Sequence, residues 1–120
     1  MNTKENILIL AKNTILSESE SIAKLIDFID FNFAEATQTL FNSKGRLIVT
    51  GIGKSAIIAQ KMVATFNSTG TPALFLHAAE AIHGDLGMVQ PDDIVLCISK
   101  SGNSPEIKIL VPLVKRFGNI

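Results

Sequence analysis

The chain has 120 residues, of which 47% are hydrophobic, and its eleven basic and eleven acidic side chains cancel to a formal net charge of zero. This length and apolar content predict one modest globular domain and exclude a disordered tail. No stretch concentrates basic residues, so binding to nucleic acid is not expected. The N-terminal apolar segment is too short for a signal peptide or a membrane span, and the single cysteine, Cys97, is interpreted as a small buried hydrophobe. The resulting expectation is a cytoplasmic protein without a membrane anchor.

Residues 1–44 predict a region of amphipathic helices. Apolar residues recur at helical spacing from about residue 3 to residue 29, which predicts one long helix with a break near Ser17–Ser21. A second helix is predicted from about Asn32 to Asn42. Its inward-facing side chains are predicted to be Phe33, Ala36, Leu40 and Phe41.

Residues 45–120 predict an α/β domain built on a doubly wound parallel sheet. Three short apolar runs are predicted as strands, namely Arg46–Thr50, Pro72–His77 and Asp93–Ser99. They do not alternate with polar residues, which is typical of strands that are covered on both faces. Helices are expected between the strands, because a parallel strand pair needs a crossover connection.

Two of these helices have clear signals in the sequence. One is predicted from about Ser55 to Asn67, and another begins at Ser104 and Pro105, where the serine hydroxyl is expected to cap free amides. The final segment, Lys115–Ile120, is interpreted as the end of that helix and the start of a fourth strand. The sheet is therefore expected to be truncated at its carboxyl end, or to be completed by oligomerisation.

Three loops rich in polar and glycine residues follow the three predicted strands. They are Gly51–Ala56, His77–Gly87 and Ser99–Ser104. The carboxyl ends of parallel strands lie at one edge of a sheet, where ligands bind in folds of this class. The three loops therefore predict one shared ligand site.

The first loop, GIGKSA, allows more than one interpretation. A Walker A phosphate loop is excluded because Ile48 stands where that motif needs glycine. A dinucleotide site fits the glycine spacing but needs an acid at the end of the second strand, where His77 stands. A phosphate or sugar loop at a helix N-terminus remains, with Lys54 facing the anion.

The other two loops also have ordinary structural interpretations. The serines of SKSGNS could surround a phosphate or simply form a capped turn. Glu106 could act as a general acid or base, or it could only interact favourably with the helix dipole in the first turn. His77 and His83, with Glu80 and Asp85 nearby, could be capping residues, move protons, orient sugar hydroxyls or hold a divalent metal. A structural zinc site is not expected, since the thiolate ligands are missing.

At these loops the sequence resembles the sugar isomerase (SIS) domain of arabinose-5-phosphate isomerases. The matching segments are RLIVTGIGKS, FNSTGTPALFLHAAEAIHGDLGMV and DIVLCISKSGNSPEI, within residues 45–118. The resemblance implies an SIS-type fold and the interconversion of D-arabinose 5-phosphate and D-ribulose 5-phosphate through an enediol(ate), without a cofactor. It also implies a homotetramer with shared sites, and a role in making the octulosonic acid of lipopolysaccharide or capsule.

The same resemblance implies roles for individual residues. Lys54, Glu106 and His83 match positions assigned to catalysis or substrate contact, and His77 matches a substrate-contacting histidine that can take an inhibitory zinc ion. The implied substrate-binding residues are Ser55, Gly70, Thr71, His77, His83, Ser99, Ser101 and Ser104.

The chain also departs from that family. Lys100 and Asn103 replace an asparagine and a glutamate beside the phosphate loop. A later histidine in a His-Pro-Gly-Gly segment, proposed in the family as the base, and the paired CBS-type domains do not occur within these 120 residues, so residues 45–120 are expected to form a partial SIS domain. The alternatives are another sugar-phosphate isomerase and a non-catalytic sugar-phosphate sensor, while a nicotinamide-binding domain is the weakest of the three.

Overall fold

A computed structural model describes residues 3–120, and the chain divides into two compact units, Met1–Thr39 and Leu40–Ile120. The boundary that the sequence analysis places between residues 44 and 45 stays a prediction. No helix among residues 3–120 combines the length and apolar character needed to cross a membrane.

The first unit is helical, as the sequence predicts. Helix α1 spans Lys4–Lys24, a short 3-10 helix spans Leu25–Phe28, and α2 spans Phe31–Phe41 and runs into the second unit. The predicted break at Ser17–Ser21 is wrong, because α1 is continuous there. The hydroxyl of Ser21 donates a hydrogen bond of 2.9 Å to the carbonyl of Ser17. Serine hydroxyls that bond the preceding turn in this way are accommodated inside a helix.

The apolar side chains of α1 and α2 are largely exposed. None of the side chains of these two helices is buried, and Phe33 and Phe41 are 54% and 86% exposed. The prediction that Phe33, Ala36 and Phe41 face inward is therefore wrong, whereas Leu40 is half-buried and packs against the sheet. Helical periodicity shows which residues share a face, but it does not show whether another element covers that face.

The second unit contains a three-stranded parallel sheet, which confirms the predicted fold class. The strands are β1 (Leu47–Gly51), β2 (Ala73–His77) and β3 (Ile94–Cys97), in the order β2-β1-β3. Each begins one residue later than predicted, and β3 also ends two residues earlier. Strand β1 lies in the centre, and its residues are buried throughout.

Helices cover both faces of this sheet, as a doubly wound arrangement requires. Helix α3 (Lys54–Ser68) packs on one face, where its Ala59 forms a buried cluster with Leu47, Val49 and Ala73 of the sheet. On the other face lie α4 (Ala78–Ile82), a 3-10 helix (Asp85–Met88) and α5 (Pro105–Arg116). The buried residues on that side are Ile48, Leu76, Ala78, Ala81, Leu86, Ile107, Leu110 and Val114.

At the amino ends of the strands, β1 and β3 are joined by polar contacts. The side chain of Arg46 donates to both carboxylate oxygens of Asp93, at 3.1 Å and 2.7 Å. Farther along β3, the N–H of Val95 donates to the carbonyl of Ile120 at 2.8 Å. Ile120 lies in the segment for which the sequence predicts a fourth strand, but no strand forms there.

Candidate functional site

The candidate site lies at the carboxyl edge of the sheet, around the end of β1. The chain runs from β1 outward to β2 and then crosses to β3 on the opposite side of β1. In open α/β sheets this reversal of direction leaves a crevice between the loops that follow the two neighbouring strands. The loop Gly51–Ala56 (the Lys54 loop) therefore lies on one side of the crevice. The loop Ser99–Ser104 (the serine loop), which follows β3, lies on the other side.

The loop after β1 presents Lys54 and free backbone amides at the start of α3. Gly51 favours this close start of the helix, because a Cβ there would lie only 3.0 Å from the backbone of Ser55. Gly53, with φ of 60°, occupies the N-cap position and offers no side chain to bond the first amides of α3. These amides and the exposed Lys54 side chain can therefore bind an anion.

The loop after β2 begins with His77, which lies beside Gly51 in the parallel ladder. Its side chain is half-buried and caps α4, since Nδ1 accepts a hydrogen bond of 3.2 Å from the N–H of Ala79. His83 follows α4 as its C-cap and is exposed. Each histidine therefore caps one end of α4, with His77 as the last residue of β2 and His83 beyond the helix.

The loop after β3 is built from serine hydroxyls and amides. The N–H of Gly102 donates to Ser99 Oγ at 2.9 Å, and the N–H of Asn103 donates to Ser101 Oγ at 3.1 Å. Each hydroxyl keeps its own proton for a further acceptor. The loop is thus both a stabilised turn and a set of hydrogen-bond donors.

Ser104 differs from these serines because its hydroxyl has no hydrogen-bond partner among the described residues, although the atom is buried. Ser104 is the N-cap of α5, so the predicted start of the helix is confirmed, but the predicted cap bond by its side chain is absent. A buried hydroxyl without a hydrogen-bond partner destabilises the fold. A ligand that accepts a hydrogen bond from this hydroxyl would remove that cost. Glu106 lies half-buried in the first turn of the same helix.

Thr50 is a candidate that sequence reasoning missed. It is fully buried at the end of β1, and its Oγ1 has no hydrogen-bond partner among residues 3–120. The signal available in the sequence is a hydroxyl residue that ends an otherwise apolar strand directly before a glycine loop. Its position places a second unpaired hydroxyl at the carboxyl edge of the sheet.

Two of the implied substrate-binding residues are not brought to this edge within one chain. Gly70 and Thr71 lie in the turn before β2, at the amino edge of the sheet. Strand β2, which has five residues and is about 16 Å long, begins after them and ends at His77. Ser55 and the serines that follow β3, by contrast, all lie at the carboxyl edge.

The described residues also show what lies outside the site. Within residues 3–120, no three side chains of His, Cys, Asp or Glu are grouped closely enough to hold a metal ion. A mainly apolar groove of about 300 Å³ runs along the free edge of β3 and includes Val95, Cys97 and Val111, but none of the three loops. Burial raises the pKa of the Cys97 thiol, in agreement with its interpretation as a hydrophobe.

Comparisons with known proteins identify the family of this chain. Residues 39–120 match the family model described as the SIS domain. The chain is 50% identical over 106 residues to arabinose 5-phosphate isomerase KdsD of Shigella flexneri, which covers 88% of this chain and 32% of that protein. For the Pseudomonas aeruginosa enzyme of the same name the identity is 44% over 120 residues, covering 98% of this chain and 37% of that protein. The chain therefore spans about a third of the length of these curated relatives.

A solved structure is also similar over nearly the whole chain. It is the Escherichia coli CFT073 protein c3406 in complex with arabinose 5-phosphate, with a TM-score of 0.90 and 43% sequence identity. The match covers 99% of this chain and 63% of that one.

Proposed function

The chain belongs to the SIS domain family, and from this premise we propose that it binds a sugar phosphate and interconverts D-arabinose 5-phosphate and D-ribulose 5-phosphate. Relatives at 44–50% identity are named arabinose 5-phosphate isomerases, which supports this choice of substrate over other sugar phosphates. The resemblance of the HAAEAIHGDLG segment to these isomerases supports the same choice.

One structural observation carries the proposal: buried hydroxyls without a hydrogen-bond partner within residues 3–120 lie at the carboxyl edge, next to a lysine-bearing loop. Ser104 and Thr50 supply the hydroxyls, and Lys54 supplies the positive charge. Unpaired donors and a cation around one crevice are suited to a phosphate or to an oxygen that becomes negatively charged. The bonded serines at positions 99 and 101 would extend the same set of donors.

The proposed chemistry is a proton transfer within one sugar molecule. A base removes the proton from the carbon next to the aldehyde, an enediolate forms, and the proton returns to the former aldehyde carbon while the hydroxyl and carbonyl oxygens exchange roles. No electrons leave the sugar, so we propose that no cofactor is required. Lys54 would stabilise the negative oxygen, and Glu106 and His83 are the candidates for moving protons.

A homo-oligomer is part of this proposal, with a tetramer as the expected form. Gly70 and Thr71 are substrate-binding residues by resemblance, yet they lie at the opposite edge of the sheet from Lys54. A second copy of the chain that offers its Gly70 and Thr71 to this crevice would reconcile the two observations. Sedimentation velocity would test for the tetramer.

The biological setting completes the proposal. We infer a cytoplasmic enzyme that serves the synthesis of octulosonic acid for lipopolysaccharide or capsule, with His77 as the candidate ligand of an inhibitory zinc ion. Complementation of cells that lack this isomerase activity would test the setting, and cell fractionation would test the location.

The activity is tested by incubating the purified chain with D-arabinose 5-phosphate in deuterium oxide and following the sugar by proton NMR. We expect ribulose 5-phosphate to appear, with solvent deuterium at the exchanged carbon. Lys54→Ala should lower the rate by about 100-fold, because a charge aimed at the transition state is lost.

The matched control is Lys61→Ala, which removes an exposed lysine from the same helix, two turns from the loop. It should leave the rate unchanged. Equal losses in both variants would contradict the role of Lys54. Broadening of the sugar signals without conversion would favour the non-catalytic sugar-phosphate module, and no interaction by a folded chain would refute the site.

A further inference from the structure

The guanidinium of Arg46 bonds a backbone carbonyl in addition to the carboxylate of Asp93. Its Nε and Nη2 donate to the two oxygens of Asp93, at 3.1 Å and 2.7 Å, and Nη2 also donates to the carbonyl of Met88 at 3.0 Å. On the other side of Val89, the N–H of Gln90 donates to Oδ2 of Asp93 at 2.7 Å. The ion pair therefore holds the backbone on both sides of Val89.

Met88 ends the 3-10 helix Asp85–Met88, which backbone hydrogen bonds join to the end of α4. In chain order the N–H to carbonyl bonds are His83 to Glu80 at 3.1 Å, Gly84 to Ala81 at 3.4 Å, Gly87 to Gly84 at 3.1 Å and Val89 to Leu86 at 3.1 Å. His83 and Met88 therefore belong to one hydrogen-bonded segment, residues 83–88.

This segment has few other anchors. Among residues 83–88 only Leu86 is buried, in the apolar cluster that α4 and α5 share, whereas His83, Gly84, Asp85 and Gly87 are exposed. A hydrogen bond from a charged donor is stronger than one between neutral groups. The bond from Arg46 is therefore a main restraint on the far end of the segment.

We propose that Arg46 is a positioning residue for His83: its bond to the carbonyl of Met88 fixes the 3-10 helix, and this helix fixes the backbone of His83. The part that concerns proton transfer by His83 rests on the proposed function, whereas the restraint on the helix stands on the free protein. A side chain that moves protons has to be held within about 0.5 Å of its working position.

Lysine in place of Arg46 would separate this role from the ion pair. A lysine ammonium can stay beside Asp93, but it is a compact charge without the planar fork of N–H groups that lets arginine reach the carboxylate and the carbonyl together. Arg46→Lys should therefore keep the charge pairing and lose the bond to Met88.

The restraint is tested on the free chain by amide hydrogen exchange followed by NMR. In Arg46→Lys we expect the amides of Gly87 and Val89 to exchange about tenfold faster, because one charge-assisted hydrogen bond is lost, while the amides of β1 keep their rates. Arg116→Lys makes the same change at an exposed arginine that ends α5, and should alter neither set. Unchanged exchange at Gly87 and Val89 in Arg46→Lys, or an equal rise throughout the sheet, would overturn the inference.

The link to His83 is tested by a double-mutant cycle on the conversion of D-arabinose 5-phosphate. We expect Arg46→Lys to lower kcat about tenfold and to change KM less than about twofold, because the sugar still binds while proton transfer is misaligned. His83→Ala should lower kcat at least as much. Adding Arg46→Lys to His83→Ala should cause no further loss, since the side chain that Arg46 positions is then absent.

The cycle and its control decide the outcome. A further loss of about tenfold in the double variant would show that Arg46 acts independently of His83, and would overturn the positioning role. An equal fall in kcat in Arg116→Lys would overturn it as well. If the unsubstituted chain converts no sugar, the proposed function and the link to His83 both fail, while the restraint on the 3-10 helix is still judged by hydrogen exchange.

Discussion

The carboxylate of Asp93 is held ionised by its neighbours at the amino end of the sheet. Its side chain is only 2% exposed, and it accepts hydrogen bonds from the Arg46 side chain and from the backbone amides of Arg46 and Gln90. The Arg46 side-chain bond is the main cause that lowers the pKa of Asp93 to about 2, against the opposing effect of burial. The same bond raises the pKa of Arg46. Ionised Asp93 therefore contributes to the stability of the fold.

We predict that the stability from Asp93 is present above pH 4 and is lost as the pH falls toward 2. The folded pKa of about 2 lies below the usual 3.8, so acid protonates the unfolded chain first and favours it. Asp93→Asn should lower the free energy of unfolding by about 2 kcal/mol at pH 7 and flatten its dependence between pH 4 and pH 2. Urea denaturation at pH 7, 4 and 2.5 measures both effects. Asp92→Asn, which changes an exposed carboxylate one residue away, should do neither.

At the level of elements, the chain just before β1 lies in close backbone contact with the segment that precedes β3. A Cβ on Gly45, just before β1, would overlap the backbone carbonyl of Asp92 and lie 2.8 Å from the amide nitrogen of Asp93. Neither backbone group can rotate away as a side chain could. Glycine at this position therefore lets β1 pair with β3 from its first residue.

We predict that Gly45→Ala destabilises the protein by about 3 kcal/mol, because the backbone of the Asp92 segment must move and strain the polar contacts beside it. Gly87→Ala is the matched control, since a Cβ there meets nothing within 4 Å and Gly87 has no positive φ. It should change the free energy of unfolding by less than about 1 kcal/mol. Comparable losses in the two variants, measured by thermal or urea unfolding, would contradict the close approach at Gly45.

At the scale of the molecule, burial within residues 3–120 is confined to the second unit. The buried residues of the described chain all lie between Leu47 and Asn119, and both apolar clusters belong to the sheet and its helices. The first unit contributes helices whose large apolar side chains stay exposed. Folding of the sheet therefore draws its hydrophobic stabilisation from residues 40–120.

We predict that a fragment of residues 40–120 folds without residues 1–39. It keeps Leu40, which packs on the sheet, and both clusters. Its amide NMR spectrum should be dispersed, and its thermal unfolding should stay cooperative with a midpoint near that of the full chain. A fragment that gives a collapsed spectrum and unfolds without cooperativity would show that the first helices are needed for the core.

Strands β1 and β3 and helix α5, which flank the crevice, show how much of the site could be predicted from the sequence. The sequence placed β1, β3 and the start of α5 within two residues, and it identified Lys54 and the serine loop as lying beyond strand ends. It did not identify Thr50, and it assigned Ser104 a cap bond that the structure lacks. Whether a hydroxyl is paired depends on atoms from several elements, so a local pattern does not reveal it.

By itself the sequence determined the α/β class, the positions of β1, β2 and β3 and the three loops at one edge, because continuous apolar runs and helix-start signals lie within a few neighbouring residues. Only the tertiary structure decided the strand order β2-β1-β3, which sets the Lys54 loop beside the serine loop. It also decided the pairing of Arg46 with Asp93 across 47 positions in the chain. Contacts of this kind depend on how distant segments pack around a common core, and no short window of sequence contains that information.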